Sequence, residues 1–276
     1  MPKVRRVLAI GDLHCGSMVG LTPPDYQVVA AKGGLTKRDK AAKLQREMWR
    51  EFQNMLDEIG PIDVLLYGGD GIDGKGARSG GTEQITTSLE EQSEMCVTCI
   101  KSVKEHARNK RKDLPIIGVH GTPYHVSGSD GEDWENIVAD KAGFTKIGSH
   151  EWPEVEGVVF DIKHKIGSSG IPHGRHTAVA KDMLWNELWA ANGKMQPRAD
   201  VLLRWHVHYH QFCGGPDKLG MTLPALQCMG TKFGARQCSG IVHWGMVHFD
   251  VADGRLADWQ SHVVTLKTQA ATTTEV

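Results

Sequence analysis

Val7-Leu8-Ala9-Ile10-Gly11-Asp12-Leu13-His14-Cys15-Gly16 is the stretch from which the rest of the chain can be read. A short apolar run stops at Gly11, and a carboxylate and an imidazole follow one residue apart. In extended backbone, residues i and i+2 point to the same side, so Asp12 and His14 converge at the end of the strand. Carboxylate oxygen with imidazole nitrogen is a ligand set for first-row transition metals such as Mn, Fe, Zn or Ni. A lone Asp-x-His is more often an ordinary strand-end turn. Its weight comes from later apolar runs that close on polar clusters of the same kind.

The chain has 276 residues, enough for one large domain with a sizeable core. A single domain over 1–267 is expected, followed by a disordered tail at 268–276. Hydrophobic and charged fractions of 40% and 24% are those of a soluble globular protein. The formal net charge of −1 excludes a global attraction to nucleic acid or anionic membranes, so any polyanion contact has to come from local basic patches. The apolar run after Arg5-Arg6 is too short for a signal peptide, and no segment is long enough to span a bilayer. An intracellular, cytoplasmic protein without a membrane partner is expected. Cys15, Cys96, Cys99, Cys213, Cys228 and Cys238 are scattered, which argues against a disulfide framework. Cys96-x-x-Cys99 lacks a second pair at zinc spacing. Fourteen histidines, several of them late in the chain, are a mild compositional hint of metal.

Residues 17–35 are Gly/Pro-rich and read as a loop. Helical spacing over 37–59 places Leu44, Met48, Phe52, Met55 and Leu56 on one face, and Gly60-Pro61 ends it. A buried strand at 63–67 stops at Gly68-Gly69-Asp70-Gly71-Ile72-Asp73-Gly74. A second long helix is expected at about 82–110, then a strand at 114–119 leading into His120-Gly121-Thr122-Pro123-Tyr124-His125. A helix at 132–142, a strand at 156–166, a Gly/Ser/His loop at 167–175 and a helix at 177–192 follow. A buried strand at 200–204 runs into Trp205-His206-Val207-His208-Tyr209-His210. Strands at 223–228, 241–251 and 256–266 close the domain. Strands alternating with helices, then a strand-rich end, predict an α/β fold with helices outside a β-sandwich core.

Each polar cluster lies just past an apolar strand, where the loops of an α/β sheet edge converge on ligands. Asp12 and His14 come from one edge, Asp70 from the second, Thr122 and His125 from the third, His164 from within a later strand, and His206 and His208 from another. Asp70 on its tight turn can bridge two cations, because a carboxylate has two oxygens.

The order of these clusters resembles the calcineurin-like metallophosphoesterase superfamily over roughly residues 4–250. Gly11-Asp12-Leu13-His14, Gly69-Asp70-Gly71-Ile72-Asp73, the isolated His164 and His206-Val207-His208 fit its motifs in order and spacing. The variant Gly121-Thr122-x-x-His125, with a glutamate after it, looks like members encoded by bacteriophages. The resemblance implies a β-sandwich flanked by helices in α-β-β-α layers and two divalent transition metals, Mn foremost, with Fe, Zn or Ni as alternatives. One metal would be held by Asp12, His14, Asp70 and His208, the other by Asp70, Thr122, His164 and His206. The activity implied is phosphoester hydrolysis, with two cations about 3.5–4 Å apart acidifying a bridging water for in-line attack.

This chain departs from the family pattern twice. Trp205 stands in place of a Gly before the His pair. Thr122-Pro123-Tyr124-His125 replaces an Asn-His step, so His125 becomes the candidate catalytic histidine and Thr122 offers a hydroxyl where the family has an amide. Asp73 is a candidate to orient a ligand imidazole or to steady the Asp70 turn. His173 and Arg175, with Lys163, Lys165 and His176 nearby, are candidates for contacting substrate phosphate, although exposed loop charges are usually only that. His243 and His248 read as structural, and 108–112 as a solvated helix end. A phosphodiesterase or nuclease acting on DNA or a nucleotide leads. A phosphomonoesterase or protein phosphatase is the enzyme alternative, and a degenerate binding scaffold the non-enzymatic one.

Overall fold

The computed structural model describes residues 4–29, 37–128, 131–193, 195–215, 217–230, 241–269 and 273–275. Cys238 and parts of the expected first loop and tail lie outside them. Strands β1 (Arg5–Ile10), β2 (Val64–Tyr67), β3 (Ile116–Val119) and β4 (Lys146–Gly148) run parallel. On the other side of β1, β10 (Trp244–Ala252) and β11 (Arg255–Val264) extend the sheet antiparallel, giving the order β11-β10-β1-β2-β3-β4. The second sheet has the order β5-β6-β7-β9-β8, built from β5 (Glu154–Val155), β6 (Val158–Lys163), β7 (Val201–Arg204), β8 (Gln211–Gly215) and β9 (Lys218–Thr222).

Alternation along the strands sets the layers. Leu8, Ile10, Leu65, Tyr67 and Ile116 join Leu44, Met48, Phe52 and Leu56 of α1 (Lys37–Ile59) in one core. Met95, Cys96, Cys99 and Ile100 of α2 (Leu89–Lys104) and Val138 of α4 (Trp134–Ala142) complete it. Val7, Ala9, Val64 and Leu66 face the other way, onto Phe160, Ile162, Val201 and Leu203 of the second sheet. Helix α5 (Thr177–Ala191) covers the far face of that sheet, where Asp182 meets the Nε of buried Arg204 at 2.9 Å. The Arg204 Nη1 binds Asp161 at 2.7 Å. Burial would raise the Asp161 carboxyl, but a hydrogen bond from His150 and the charge of Arg204 hold it at about 2. The architecture is thus the expected α-β-β-α sandwich.

Several local expectations need correction. The helix expected at 82–110 spans only Leu89–Lys104. Its start is fixed by Ser88, whose side chain accepts from the Glu91 N–H. Its end gives way to a bridge in which His106 and Arg108 pair with Ile62. Residues 223–228 do not form a strand: only Ala225 bridges to Trp244, while the strands are the β8–β9 hairpin just before. Strand β4 and a one-turn helix α3 (Pro123–Val126) were not expected from the sequence, and Pro at the first helical position explains the latter. Thr268, assigned to the tail, donates its N–H to Glu47 at 2.9 Å. Among the described residues no helix is long and apolar enough to cross a membrane.

Trp205 is fully buried between the sheets and dictates its neighbours. A Cβ on Gly68 would lie 2.1 Å from the indole, and one on Gly11 2.4 Å from it. The bulk absent from those two positions has moved to position 205. Gly68→Ala is therefore expected to destabilise the fold by about 1–3 kcal/mol through overpacking. Gly170→Ala, whose methyl meets nothing within 4 Å, should stay within about 0.5 kcal/mol of the parent. Chemical denaturation measures both, and equal effects would contradict the packing argument.

Candidate metal centre

Past the ends of β1 and β2 the two chains remain paired. Asp12 N–H donates to Gly69 O, His14 N–H to Asp70 O and Cys15 N–H to Gly71 O, each at 2.9 Å. The ends of β6 and β7 are joined in the same way by Trp205 N–H to His164 O at 2.9 Å. These extensions hold an unusual backbone. Of the seven non-glycine residues with positive φ among the described ones, five are Asp12, His14, Asp70, His206 and His208, at φ 46–73°. Left-handed backbone costs a side-chain-bearing residue about 1–2 kcal/mol. Its concentration here turns successive side chains toward one point, as at functional sites generally.

Two groups of ligand atoms result. In the first, Asp12, His14 and His208 come together, with His208 Nε2 at 3.4 Å from Asp12 Oδ1. In the second, Asp70, His164 and His206 come together, with His164 Nε2 at 3.1 Å from Asp70 Oδ2. Asp70 lies between the groups, its Oδ2 also 4.0 Å from His14 Nε2. Its other oxygen, Oδ1, accepts the Thr122 N–H at 2.6 Å. Oδ2 is the Asp70 oxygen that faces both groups. The Thr122 hydroxyl stands 3.2 Å from His164 Nε2, 3.1 Å from His206 Nδ1 and 3.2 Å from Asp70 Oδ2. His164 itself follows the last residue of β6 instead of sitting within the strand.

The surrounding layer fixes which nitrogens face inward. His14 Nδ1 bonds Asp73 Oδ1 at 2.9 Å, and His164 Nδ1 bonds Gly68 O at 2.7 Å. In both rings Nε2 is left for the centre. Asp73 is held in turn by Gln84 Nε2 at 2.6 Å. Burial would raise Asp70, but the hydrogen bond and charge of His164, with His14 behind, hold its carboxyl far below the usual range. Burial likewise opposes charge on His164, and Asp70 overrides it, raising the imidazole to about 9. The field at this point favours positive charge.

His125 reaches the site from α3. Its Nδ1 bonds Asp73 O at 2.9 Å and its ring meets that of His14 edge-on at 4.6 Å. Burial, then the nearby His14, lowers its pKa. His14, Asp73 and His125 also cluster closely, but their facing atoms are taken up by hydrogen bonds to one another. His14, Asp70, His125, His206 and His208 line a cavity of about 340 Å³. Arg175 and His173 are not among the described residues that line it. Arg175 stacks over Tyr209 at 4.7 Å, and His173 is exposed in a short 3₁₀ turn.

Two residues the sequence reading did not single out support the turns. Glu135 in α4 is fully buried and accepts the N–H groups of Gly71, at 3.0 Å, and Gly121. It thereby ties the Asp70 turn to the Thr122 turn, and burial together with the Asp70 charge raises its carboxyl to about 7. Gln92 in α2 accepts Asp73 N–H at 3.1 Å and Gly74 N–H at 2.9 Å. A glutamate in an amphipathic helix carries no sequence signal for such a role. The only hint was the Glu placed shortly after the His125 motif. The His243 N–H donates to His208 O, and its Nδ1 accepts the His210 N–H, both at 2.8 Å.

These residues fit a bound cation on their own chemistry. Asp12 Oδ1 and His14 Nε2 are buried, have no hydrogen-bond partner among the described residues and lie in the same group of ligand atoms. No protein-family model and no curated protein matches the chain. Among solved structures it is similar to an archaeal phosphodiesterase, with 14% identity over 94% of this chain and 99% of that one, at a TM-score of 0.43. It is also similar to Vacuolar Protein Sorting 29 from Cryptosporidium parvum, at 13% identity, 95% and 98% coverage and a TM-score of 0.45. A wild-type Vps29 from Entamoeba histolytica complexed with zinc matches at 13% identity, 94% and 98% coverage and a TM-score of 0.39. At these identities and TM-scores the likenesses carry no argument, and the chemistry rests on the residues of the site.

Removing the support of one imidazole tests the arrangement. Asp73→Ala should lower Mn affinity about 10–100-fold by calorimetric titration, with the circular dichroism spectrum unchanged. Unaltered affinity would mean that Asp73 does not orient His14.

Proposed function

We propose that this chain is a metal-dependent phosphoester hydrolase with two divalent transition metals, Mn foremost and Fe, Zn or Ni as alternatives. The observation that carries the reading is the pair of buried ligand atoms, Asp12 Oδ1 and His14 Nε2, that have no hydrogen-bond partner among the described residues, beside a second group around Asp70 Oδ2. Asp12, His14, His208 and Asp70 would hold one cation, and Asp70, His164, His206 and Thr122 the other. When bound, such a pair neutralises phosphoryl oxygens and lowers the pKa of a water.

The chain's own residues supply the rest. Asp73 and the Gly68 carbonyl fix the His14 and His164 rings. His125 keeps Nδ1–H on the Asp73 carbonyl, which leaves Nε2 to take a proton from solvent and, as the imidazolium, pass it to the leaving oxygen. The substrate we favour is a phosphodiester, in DNA or a nucleotide. Its support is the cavity lining, which among the described residues has no lysine or arginine. Imidazole, carboxylate, amide, hydroxyl and apolar groups line it instead, Asp70, Asp73 and Glu83 supplying the carboxylates. That lining suits the single charge of a diester better than the double charge of a monoester. A bacteriophage-type member acting in the cytoplasm, the host's if phage-encoded, belongs to the same proposal, on the Gly121-Thr122-x-x-His125 variant.

Hydrolysis of bis-nitrophenyl phosphate with and without added Mn tests the reading. Asp70→Asn should lose more activity than Thr122→Ala, since it weakens both groups while Thr122 offers one neutral contact. No hydrolysis with any of the four metals would overturn the function, and a larger loss for Thr122→Ala would overturn the shared role of Asp70. His125→Ala should slow esters with alkoxide leaving groups about 10²–10⁴-fold and nitrophenyl esters far less, because a nitrophenolate needs no proton. Equal losses would leave His125 with electrostatic stabilisation only.

A further inference from the structure

A second cavity, of about 300 Å³, lies on the far face of the second sheet under α5. Lys163 and Arg204 form its floor, each directly preceding the segment that carries His164 or His206. Asp161 and His150 stand beside them, and α5 contributes Asp182, Trp185 and Trp189. Arg204 is 2% exposed, yet only its Nε and Nη1 are occupied, by Asp182, Asp161 and backbone carbonyls. Among the described residues its Nη2 has no hydrogen-bond partner. The two indoles at the rim are 51% and 38% exposed, a costly placement for tryptophan in water.

The lining discriminates among ligands. A free cation would meet Arg204 and Lys163, and an inorganic anion would meet Asp161 and Asp182 while leaving both indoles unused. An apolar chain would strand the Arg204 guanidinium. A neutral planar ring offers an acceptor to Arg204 Nη2 and a face to the indoles, and adds no charge beside groups already paired with one another. We propose that this cavity binds a nucleobase, stacked on Trp185 and Trp189 with its edge toward Arg204 Nη2 and the adjacent carboxylates. Aromatic faces combined with an arginine are how unpaired bases are held elsewhere. The base could belong to a free nucleoside or to a single strand. The site is separate from the metal centre and does not depend on the hydrolase reading.

Calorimetric titration of the full chain with guanosine, adenosine and a single-stranded octanucleotide tests this, in the Asp12→Asn background so that turnover and metal contacts do not contribute. Guanosine or adenosine should bind, and Trp185→Ala with Trp189→Ala should weaken binding at least tenfold. Trp189→Phe, which keeps a stacking face, should retain most of the affinity and also controls for folding. Tighter, salt-dependent binding of the octanucleotide identifies a strand as the source, and equal affinity identifies a free nucleoside. Failure of all three ligands to bind, or binding unchanged in the double tryptophan variant, would overturn the proposal whatever the outcome of hydrolysis assays.

Discussion

The Asp70 carboxylate occupies the centre of the arrangement, and the surrounding chain serves to keep it ionised and fixed. One oxygen accepts the Thr122 N–H at 2.6 Å, and the other faces His164 at 3.1 Å and His14 at 4.0 Å. A buried carboxylate is costly unless it is paired and hydrogen-bonded. Here the partners come from beyond β1, β3 and β6 and Asp70 itself from beyond β2, so four strand ends must be in place before the charge is accommodated. Parallel pairing of β1 with β2 and of β2 with β3 holds three of them in register.

The strained turns and the glycines around them follow from the same constraint. Positive φ at five side-chain-bearing positions sums to roughly 5–10 kcal/mol at about 1–2 each, a load comparable to the net stability of a domain. It is borne by the continued pairing of 12–15 with 69–73 and by the clamps of Glu135 and Gln92. Removing either clamp would relax the turn before it disturbed the sheet. The buried Trp205 performs the equivalent task on the second sheet, wedging against Gly11 and Gly68 where the two sheets meet.

Much of this was legible in the sequence because periodicity and strand-end chemistry are local. The helix over 37–59 and the alternation of Val158, Phe160 and Ile162 needed only spacing. That Asp12, His14 and His208, and Asp70, His164 and His206, would come together was legible because each lies at or just past the end of an apolar run. Thr122 is extended, with ψ 127°, the conformation favoured for a residue before proline. What escaped the sequence depends on tertiary contacts. The start of α2 is set by where Ser88 caps it, and the β8–β9 hairpin by pairing with β7. Arg175 and His173 were placed at the phosphate by sequence proximity to His164, yet the loop carries Arg175 onto Tyr209 instead. The Glu135 clamp is invisible until α4 is packed against both glycine turns.

The central claim is that two cations sit on either side of Asp70, held by residues the sheet ends bring together. Anomalous diffraction at the Mn edge, from crystals grown with Mn, tests it most directly. The account predicts two peaks, one among Asp12, His14 and His208 and one among Thr122, His164 and His206, with Asp70 Oδ2 between them. A single peak, peaks at other residues, or none would contradict it.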